Sequence, residues 1–315
     1  MSRAWLLALA LAATPAAQAT DSLPPQEAGT WLQKISDASR RLDYEGLFVL
    51  QHGGNTQTLS VTGHSSGGNA ESRLLTLDGN QREVRCTQQS SVTLMINGAQ
   101  LRLEKRLNKR HFPDLLPENA VPLANWYNVR VGGADRVAGR DCTNVDITPK
   151  DMFRWGYVLC IDKATAFPLR AVMVNGDGQP LMQYSFAEIK LGAVPKADLR
   201  PMPAMPDIPD AARPVANVRV EVGTLPPGFT RIAAVRRQLP NHAGEVEHWV
   251  YSDGLTHVSL FLEPAIKPVE PIKGQSKQGM INMIKRQVGN LQATVLGEAP
   301  WTTVETIASS LSLRQ

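Results

Sequence analysis

The chain has 315 residues and a formal net charge of +4 at pH 7. This length is sufficient for one or two domains with hydrophobic cores of their own. The net charge is too small for a protein that binds nucleic acid through charge, so nucleic acid is excluded as a partner.

The N-terminus has the features of an export signal. Arg3 supplies a positive start, Trp5–Ala13 is an apolar run, and Ala17-Gln18-Ala19 fits the small-residue rule for cleavage. The apolar run is too short to span a membrane, and no cysteine near the cleavage point offers a lipid anchor. We therefore predict a signal peptide over residues 1–19 and a soluble, exported mature protein.

An amphipathic helix followed by many strands is predicted after the signal peptide. Apolar residues recur at helical spacing over Pro24–Leu42 and include Trp31. Pairs such as Asp78-Gly79 are typical of hairpin turns between the strands that follow. The predicted strands of this part are Tyr44–His52, Gln57–His64, Glu71–Leu77, Gln81–Thr87 and Val92–Ile96.

The stretch Gly139–Lys190 predicts four consecutive antiparallel strands. Asp141–Thr148 and Trp155–Asp162 alternate apolar residues along one face. Pro168–Val174 and Pro180–Lys190 follow, joined by an Asn-Gly-Asp-Gly turn that suits a tight hairpin. One register of the first two strands gives an apolar face and a cysteine pair together. Its opposite pairs are Ile147 with Trp155, Val145 with Tyr157, and Cys142 with Cys160.

The three cysteines are an odd number for an oxidising compartment. The predicted register pairs Cys142 with Cys160 in a disulfide and leaves Cys86 over. Cys86 is then either a small buried strand residue or a reactive or intermolecular thiol. No two cysteines or histidines have the close spacing of zinc ligands, so no metal site is predicted.

A helix followed by strands in meander order predicts an antiparallel sheet that curls over the helix. Six apolar residues are candidates to line its inner face and to bind a ligand: Phe48, Leu50, Leu75, Leu77, Trp155 and Tyr157. Two interpretations stay open. The face is either an ordinary core filled by side chains, or a pocket for acyl chains under a movable helix.

Prolines recur every few residues over 195–215, which excludes a helix or central strand and predicts an extended linker. The linker separates a large domain over 20–194 from a small domain over 216–315. We expect the small domain to form a sheet covered by a terminal helix, with a capping box from Thr302 to Glu305. The basic window Leu101–His111 is either a solvated strand end or a docking patch for anionic groups.

Little in the sequence indicates catalysis. Gly63-His64-Ser65-Ser66-Gly67 matches the G-x-S-x-G pattern, but a strand rather than a helix follows it, so Ser65 lacks the setting of a nucleophile. Phosphate-binding and nicotinamide-binding glycine motifs are absent, and the six histidines are scattered. We predict no catalytic residue, no metal and no cofactor.

Short motifs in a consistent order make the sequence resemble the MucB/RseB family of periplasmic regulators of the envelope-stress sigma factor. The motifs in the large domain are Leu75-Thr76-Leu77-Asp78-Gly79, Trp126-Tyr127, Gly139-Arg140, Arg154-Trp155-Gly156-Tyr157 and Pro168-Leu169-Arg170. Those in the small domain are Leu225-Pro226-Pro227-Gly228-Phe229, Tyr251-Ser252-Asp253-Gly254-Leu255 and Gly297-Glu298-Ala299-Pro300.

The resemblance implies an α+β fold. The large N-terminal domain would be an unclosed antiparallel β-barrel with helices, like the lipoprotein carriers LolA and LolB. The small C-terminal domain would be α+β with an antiparallel sheet.

The resemblance also implies a periplasmic protein that is not an enzyme. It would bind the periplasmic part of a membrane-spanning anti-sigma factor and shield it from regulated proteolysis. Lipopolysaccharide or acyl-chain ligands would release the partner. Candidate partner-binding residues are Tyr251, Asp253 and Leu255. The alternative function is a periplasmic carrier of lipids or lipoproteins, and the sequence leaves the oligomeric state open, homo-oligomers included.

Overall fold

A computed structural model describes residues 21–66, 69–80, 82–87, 90–97, 100–107, 111–192, 213–215, 219–238, 244–265, 268, 270–275 and 280–314. The predicted signal peptide and the predicted linker up to residue 212 lie outside these ranges. Within the described ranges, neither the length nor the hydrophobicity of any helix is sufficient for a membrane span.

The large domain is a long helix enclosed by one antiparallel sheet of eleven strands. The helix is α1 (Pro25–Arg41), and a 3₁₀ turn spans Val121–Asn125. The strands are β1 (Tyr44–His52), β2 (Asn55–Ser66), β3 (Asn69–Thr76), β4 (Arg82–Cys86), β5 (Ser90–Asn97), β6 (Gln100–Leu107), β7 (Tyr127–Val137), β8 (Arg140–Pro149), β9 (Gly156–Asp162), β10 (Pro168–Val174) and β11 (Pro180–Leu191).

The sheet order is β6-β5-β4-β3-β2-β1-β11-β10-β9-β8-β7. Nearly all neighbours are therefore hairpin partners, and only the pairing of β1 with β11 joins distant parts of the chain. Since β6 and β7 stand at opposite ends of this order, the described strands do not close into a barrel. The unclosed antiparallel sheet predicted from the sequence is confirmed.

Helix α1 fills the curled sheet because one of its faces is apolar. Pro25 stands in its first turn, where proline removes no helical hydrogen bond, and Leu42 leaves the helical conformation at the other end. Leu32 and Ile35 are almost completely buried in the core of the large domain. Burying each of these side chains contributes about 1.5–3 kcal/mol. The apolar stripe predicted from the sequence is the buried face of the helix.

The register predicted for β8 and β9 is wrong by two residues. Cys142 lies opposite Asp162 rather than Cys160, and Ile147 lies opposite Tyr157 rather than Trp155. Trp155 lies outside β9, and its indole Nε1 donates to the Met280 carbonyl of the small domain at 3.4 Å.

A shift of two residues leaves every side chain on its predicted face of the sheet. The two cysteines are therefore still close enough to bond. The Cys142–Cys160 disulfide is present, with the Cα atoms 5.5 Å apart, and Cys86 lies outside it, half-buried at the end of β4.

The small domain is a seven-stranded antiparallel sheet with a helix and a separate two-stranded pair. Its elements are β12 (Arg213–Pro214), β13 (Val220–Val222), β14 (Thr230–Gln238), β15 (Glu245–Ser252), β16 (His257–Pro264), β17 (Ile272–Gln275), β18 (Asn282–Val288), β19 (Leu291–Gly297), α2 (Trp301–Ser309) and β20 (Leu311–Leu313). The order of the main sheet is β12-β14-β15-β16-β19-β18-β17, and β13 pairs with β20.

The predicted capping box of the terminal helix is wrong. Helix α2 begins one residue earlier, at Trp301, with Pro300 at the N-cap and no side-chain cap. Glu305 instead pairs with Lys273 of β17 at 3.0 Å. Thr303 donates its hydroxyl to the carbonyl of Phe153 at 2.5 Å, so the first turn of α2 contacts the large domain.

Candidate functional site

The inner side of the curled sheet carries a cluster of aromatic rings. Phe48 comes from β1, Tyr184 and Phe186 come from β11, and Phe112 comes from the segment after β6. Phe112 stacks on Tyr184 with ring centres 5.2 Å apart, and Phe48 meets Phe112 edge-on at 5.3 Å. Such pairs stabilise a core beyond the area that they bury, by about 0.5–1.5 kcal/mol each.

The structure brings four of the six predicted ligand-binding residues towards this cluster. Phe48 is fully buried, Tyr157 is 9% exposed, and Leu50 and Trp155 are half-buried against the same core. We call Phe48, Phe112, Trp155, Tyr157 and Tyr184 the aromatic face. Whether it binds a ligand stays a prediction.

Leu75 and Leu77 do not join the aromatic face. In β3 the inward position is taken by Leu74, which is buried and lies opposite Val84, whereas Leu75 lies opposite Glu83. Leu77 follows the end of β3 and is 51% exposed. The face assignment was wrong by one residue here, because two adjacent leucines fit either side of a strand equally well.

Residues of the small domain lie next to the aromatic face. Met280 is buried in the same apolar cluster as α1 and the inner side of the large sheet, and Ile281 packs against that cluster. Glu298, between β19 and α2, acts electrostatically on the phenols of both Tyr157 and Tyr184. We call Met280, Ile281 and Glu298 the cap.

The phenols of the aromatic face stay protonated at any physiological pH. Burial, and next to it the Glu298 carboxylate, raises the pKa of Tyr157 well above its ordinary value. The same two causes raise the pKa of Tyr184. An ionised phenol in this setting would be unpaired and desolvated, so neither tyrosine acts as a base here.

A second set of contacts joins the domains through Arg154. This arginine lies in the loop between β8 and β9, and its side chain is completely buried. Its Nε donates to Asp253 Oδ2 at 2.8 Å, its Nη1 to Asp151 Oδ2 at 2.6 Å, and its Nη2 to the Pro227 carbonyl. The guanidinium is also 5.2 Å from the centre of the Trp126 ring, so one side chain of the large domain contacts two loops of the small domain.

Asp253 receives hydrogen bonds from both domains. Its Oδ1 accepts from the backbone N–H groups of Leu255 at 2.9 Å and Thr256 at 2.7 Å, which shapes the turn between β15 and β16. Its Oδ2 accepts from Arg154 and from the Tyr127 hydroxyl, the latter at 3.0 Å. We call Tyr127, Arg154 and Asp253 the joint. Burial, followed by the charge of Asp253, raises the pKa of Tyr127 and keeps it a donor.

The predicted partner-binding residues have buried positions around this joint. Asp253 is part of the joint itself, and Leu255 is 8% exposed and packs into the core of the large domain. Tyr251 is 3% exposed in the core of the small domain, where burial raises its pKa to about 12. Their part in partner binding stays a prediction.

Some residues that contact across the domains were not singled out from the sequence. Tyr127, Arg154 and Glu298 each occur in a motif that carries the family resemblance, but the motifs themselves give no partner for them. Gly228 of the small domain also lies close to Trp126 of the large domain. A Cβ at position 228 would lie 2.3 Å from the Trp126 ring. Only contacts between distant parts of the chain reveal this role.

Other sequence features do not form a site. Ser65 lies within β2 rather than on a turn before a helix, and its N–H donates to Asp43 at 2.8 Å. Among the described residues, no group of three or more histidine, cysteine, aspartate and glutamate side chains is placed to hold a metal ion. The basic window forms β6 up to Leu107, and the side chains of that strand lie outside the described part.

This geometry is that of a two-domain protein, with an open antiparallel sheet whose apolar core also contains residues of the second domain. The chain belongs to the MucB/RseB family. Residues 27–205 match the family's N-terminal domain and residues 215–312 match its C-terminal domain. The resemblance inferred from the sequence motifs is confirmed.

Named relatives extend over nearly the whole chain. The sigma factor AlgU regulatory protein MucB of Pseudomonas aeruginosa is 31% identical over 313 residues, covering 97% of this chain and 95% of that protein. The sigma-E factor regulatory protein RseB of Salmonella typhimurium is 26% identical and covers 100% of this chain and 99% of its own length. These relatives are regulatory proteins, so the family is one of regulators rather than of enzymes.

Solved structures show the same fold. A MucA/MucB complex of Pseudomonas aeruginosa contains a chain with 29% sequence identity and a TM-score of 0.73, covering 92% of this chain and 99% of that chain. A structure of MucB in complex with MucA(peri) has 29% identity and a TM-score of 0.71, covering 91% and 99%.

Proposed function

We propose that this chain is a periplasmic regulator that binds the periplasmic part of a membrane-spanning anti-sigma factor. The observation that carries the proposal is the match of both domains to one family of sigma-factor regulators, over 27–205 and 215–312. MucB, 31% identical along almost the whole chain, is found in complex with MucA. The predicted signal peptide supports export to the compartment where such a partner is exposed.

Binding would shield the anti-sigma factor from the protease that starts its degradation, and so restrain the envelope-stress response. Ligands with acyl chains, lipopolysaccharide among them, would bind the aromatic face and release the partner. The open sheet and its aromatic rings support this proposal, since apolar rings with a few polar groups are typical of ligand sites. A ligand can release the partner only by its differential affinity for the free and the bound protein.

The candidate residues Tyr251, Asp253 and Leu255 would contribute to partner binding by placing the small domain. Asp253 and Leu255 hold the turn between β15 and β16 against the large domain, and Tyr251 anchors the end of β15 in the core of the small domain. A partner that contacts both domains at once would then meet them in one fixed arrangement. Side chains that touch the partner directly would come from the rim of the two domains.

Calorimetric titration tests the function directly. The mature protein would be titrated with the periplasmic segment of a membrane-spanning anti-sigma factor from the same organism. We expect binding at micromolar or lower concentration, and weaker binding after addition of lipopolysaccharide. Absence of binding at micromolar concentration would overturn the partner proposal. Unchanged binding with lipopolysaccharide would overturn only the release step.

A periplasmic lipid or lipoprotein carrier is the second candidate. The unclosed sheet and its aromatic face favour this function, because a carrier needs only a site for its lipid and no partner protein. Native mass spectrometry separates the two functions. A carrier should retain an acyl ligand in stoichiometric amount through purification, whereas a regulator should be isolated empty and bind ligand only when it is added.

A further inference from the structure

Within the joint, Arg154 and Asp253 form an ion pair, and both side chains are completely buried. Removing charges from water is costly, and such a pair persists only when its hydrogen bonds are satisfied. Both carboxylate oxygens of Asp253 accept two hydrogen bonds each, at 2.7–3.0 Å. Separating the domains would leave Asp253 Oδ2 without its two donors, and Arg154 Nε and Nη2 without their acceptors, unless water entered at once. The joint therefore favours two discrete states, docked and separated, over intermediate ones.

The joint and the cap are mechanically linked through neighbouring residues. Arg154 belongs to the joint, and the next residue, Trp155, belongs to the aromatic face and donates to Met280 of the cap. On the side of the small domain, Thr303 at the start of α2 holds the Phe153 carbonyl, directly before Arg154. The loop between β8 and β9 is thus held by the small domain at three consecutive residues.

We propose that the joint acts as a latch on the aromatic face. With Arg154 and Asp253 paired, the cap stays docked on the large domain, with Met280 buried in the same core as the aromatic face, and an acyl chain reaches the rings only when the latch opens. The same opening would rearrange the two domains relative to each other. This inference rests on the proposed ligand function of the aromatic face and adds the regulation of access to it.

Thiol labelling tests the latch without any ligand. Met280 is 7% exposed, so a Met280→Cys thiol, measured separately from Cys86 by peptide mass, should react slowly with an aromatic disulfide reagent while the cap is closed. Adding Asp253→Asn keeps an oxygen for the turn but removes the charge that holds Arg154. We expect labelling to be at least about tenfold faster, because the reactive fraction scales with the open population.

The matched control is Asp146→Asn, which breaks the exposed Arg130–Asp146 pair within the large domain and should leave the labelling rate unchanged. Tyr127→Phe is a milder second variant, which removes only the hydroxyl that donates to Asp253. This variant still tests the latch if Asp253→Asn does not fold. A labelling rate unchanged by every joint variant, in proteins with native circular dichroism, would overturn the latch.

Binding of the apolar fluorophore N-phenyl-1-naphthylamine gives the second readout. A latch predicts association at least about tenfold faster in Tyr127→Phe or Asp253→Asn than in the wild type. An unchanged association rate in the variants, beside anti-sigma binding by the wild type, overturns the latch and leaves the proposed function standing. Faster association in the variants, beside a wild type that does not bind the anti-sigma segment, supports the latch and overturns the partner proposal.

Discussion

Gly63 shows how a single residue without a side chain shapes the interior of the large sheet. It lies in β2 opposite Tyr44, whose ring is buried and 5.0 Å from that of Phe167. A Cβ at position 63 would lie 2.2 Å from the Tyr44 ring. The sequence places this glycine in a G-x-S-x-G pattern, but the structure assigns it to packing.

Replacing Gly63 with alanine should therefore destabilise the protein. The added methyl group has no space beside Tyr44, and overpacking of this kind costs about 1–3 kcal/mol. Urea unfolding would measure the change. Gly133→Ala in β7 is the control, because no atom lies within 4 Å of a Cβ there, and it should not destabilise. Equal stability of both variants would contradict the packing role of Gly63.

Asp162 predicts a pH dependence of stability. Its carboxylate is 3% exposed and accepts from Arg140 Nε at 2.8 Å and the Thr165 hydroxyl at 2.7 Å. Burial acts to raise its pKa, but the hydrogen bonds from Arg140 and Thr165 outweigh burial, and the pKa is lowered. A lowered pKa means that the stabilisation is present above about pH 4 and is lost as pH falls through the folded-state pKa.

Asp162→Asn should accordingly lower the free energy of unfolding by about 1.5–3 kcal/mol at pH 7, the range for hydrogen bonds to charged groups. The difference from the wild type should shrink as the pH falls below about 4. Denaturant unfolding at pH 7 and at pH 3 measures both effects. Asp146→Asn, in a more exposed pair, should change stability by less than about 1 kcal/mol. A difference that persisted at low pH would exclude the proposed linkage.

At the scale of elements, periodicity predicted helix α1 and most strands but not all. Tyr127–Val137 escaped prediction because Gly132 and Gly133 interrupt the alternation, and a register shift lies between Val131 and Ala134. Such interruptions are where bulges occur. The two-residue error between β8 and β9 has a different cause. The prediction assumed that two bonded cysteines lie directly opposite each other. In the structure Cys142 lies opposite Asp162, and its disulfide partner Cys160 is two residues away on the neighbouring strand.

The disulfide should stabilise this part of the sheet by restricting the unfolded chain. Cys142 and Cys160 are 18 residues apart in sequence, and closing a loop of this size contributes about 3 kcal/mol in the chain-entropy model. Cys142→Ser with Cys160→Ser should lower the unfolding free energy by about that amount. Adding a reductant should lower the wild type to the level of the double variant and leave the variant unchanged. A reductant effect on the variant would point to Cys86 instead.

At the scale of the whole molecule, the two domains should unfold as one cooperative unit. Leu255 and Met280 of the small domain are buried in the core of the large domain, and the joint adds a buried ion pair. Arg154→Met removes the pair and leaves Asp253 buried without its cation, which costs about 3–5 kcal/mol. Most of this loss of free energy weakens the docking of the two domains, because Arg154 is not part of the apolar core of either domain.

Scanning calorimetry should show a single transition for the wild type and two transitions for Arg154→Met, as the domains lose their coupling. Arg130→Met is the control, because Arg130 pairs with Asp146 on the outside of the large domain and should leave a single transition. A single transition in Arg154→Met at a lowered temperature would show instead that the domains do not unfold independently.

The sequence by itself determined the antiparallel meander, the helix inside it, the cysteine pair and the family, because each depends on residues close along the chain or on the order of short motifs. The tertiary structure decided which leucine of β3 faces inwards, that Trp155 leaves its strand, and that Arg154 and Asp253 join the domains. The choice of leucine depends on which face of β3 meets the core. The other two depend on contacts between residues about a hundred positions apart, as with the 99 positions between Arg154 and Asp253. Side-chain alternation and turn residues carry no information about such contacts, because they report only on local conformation.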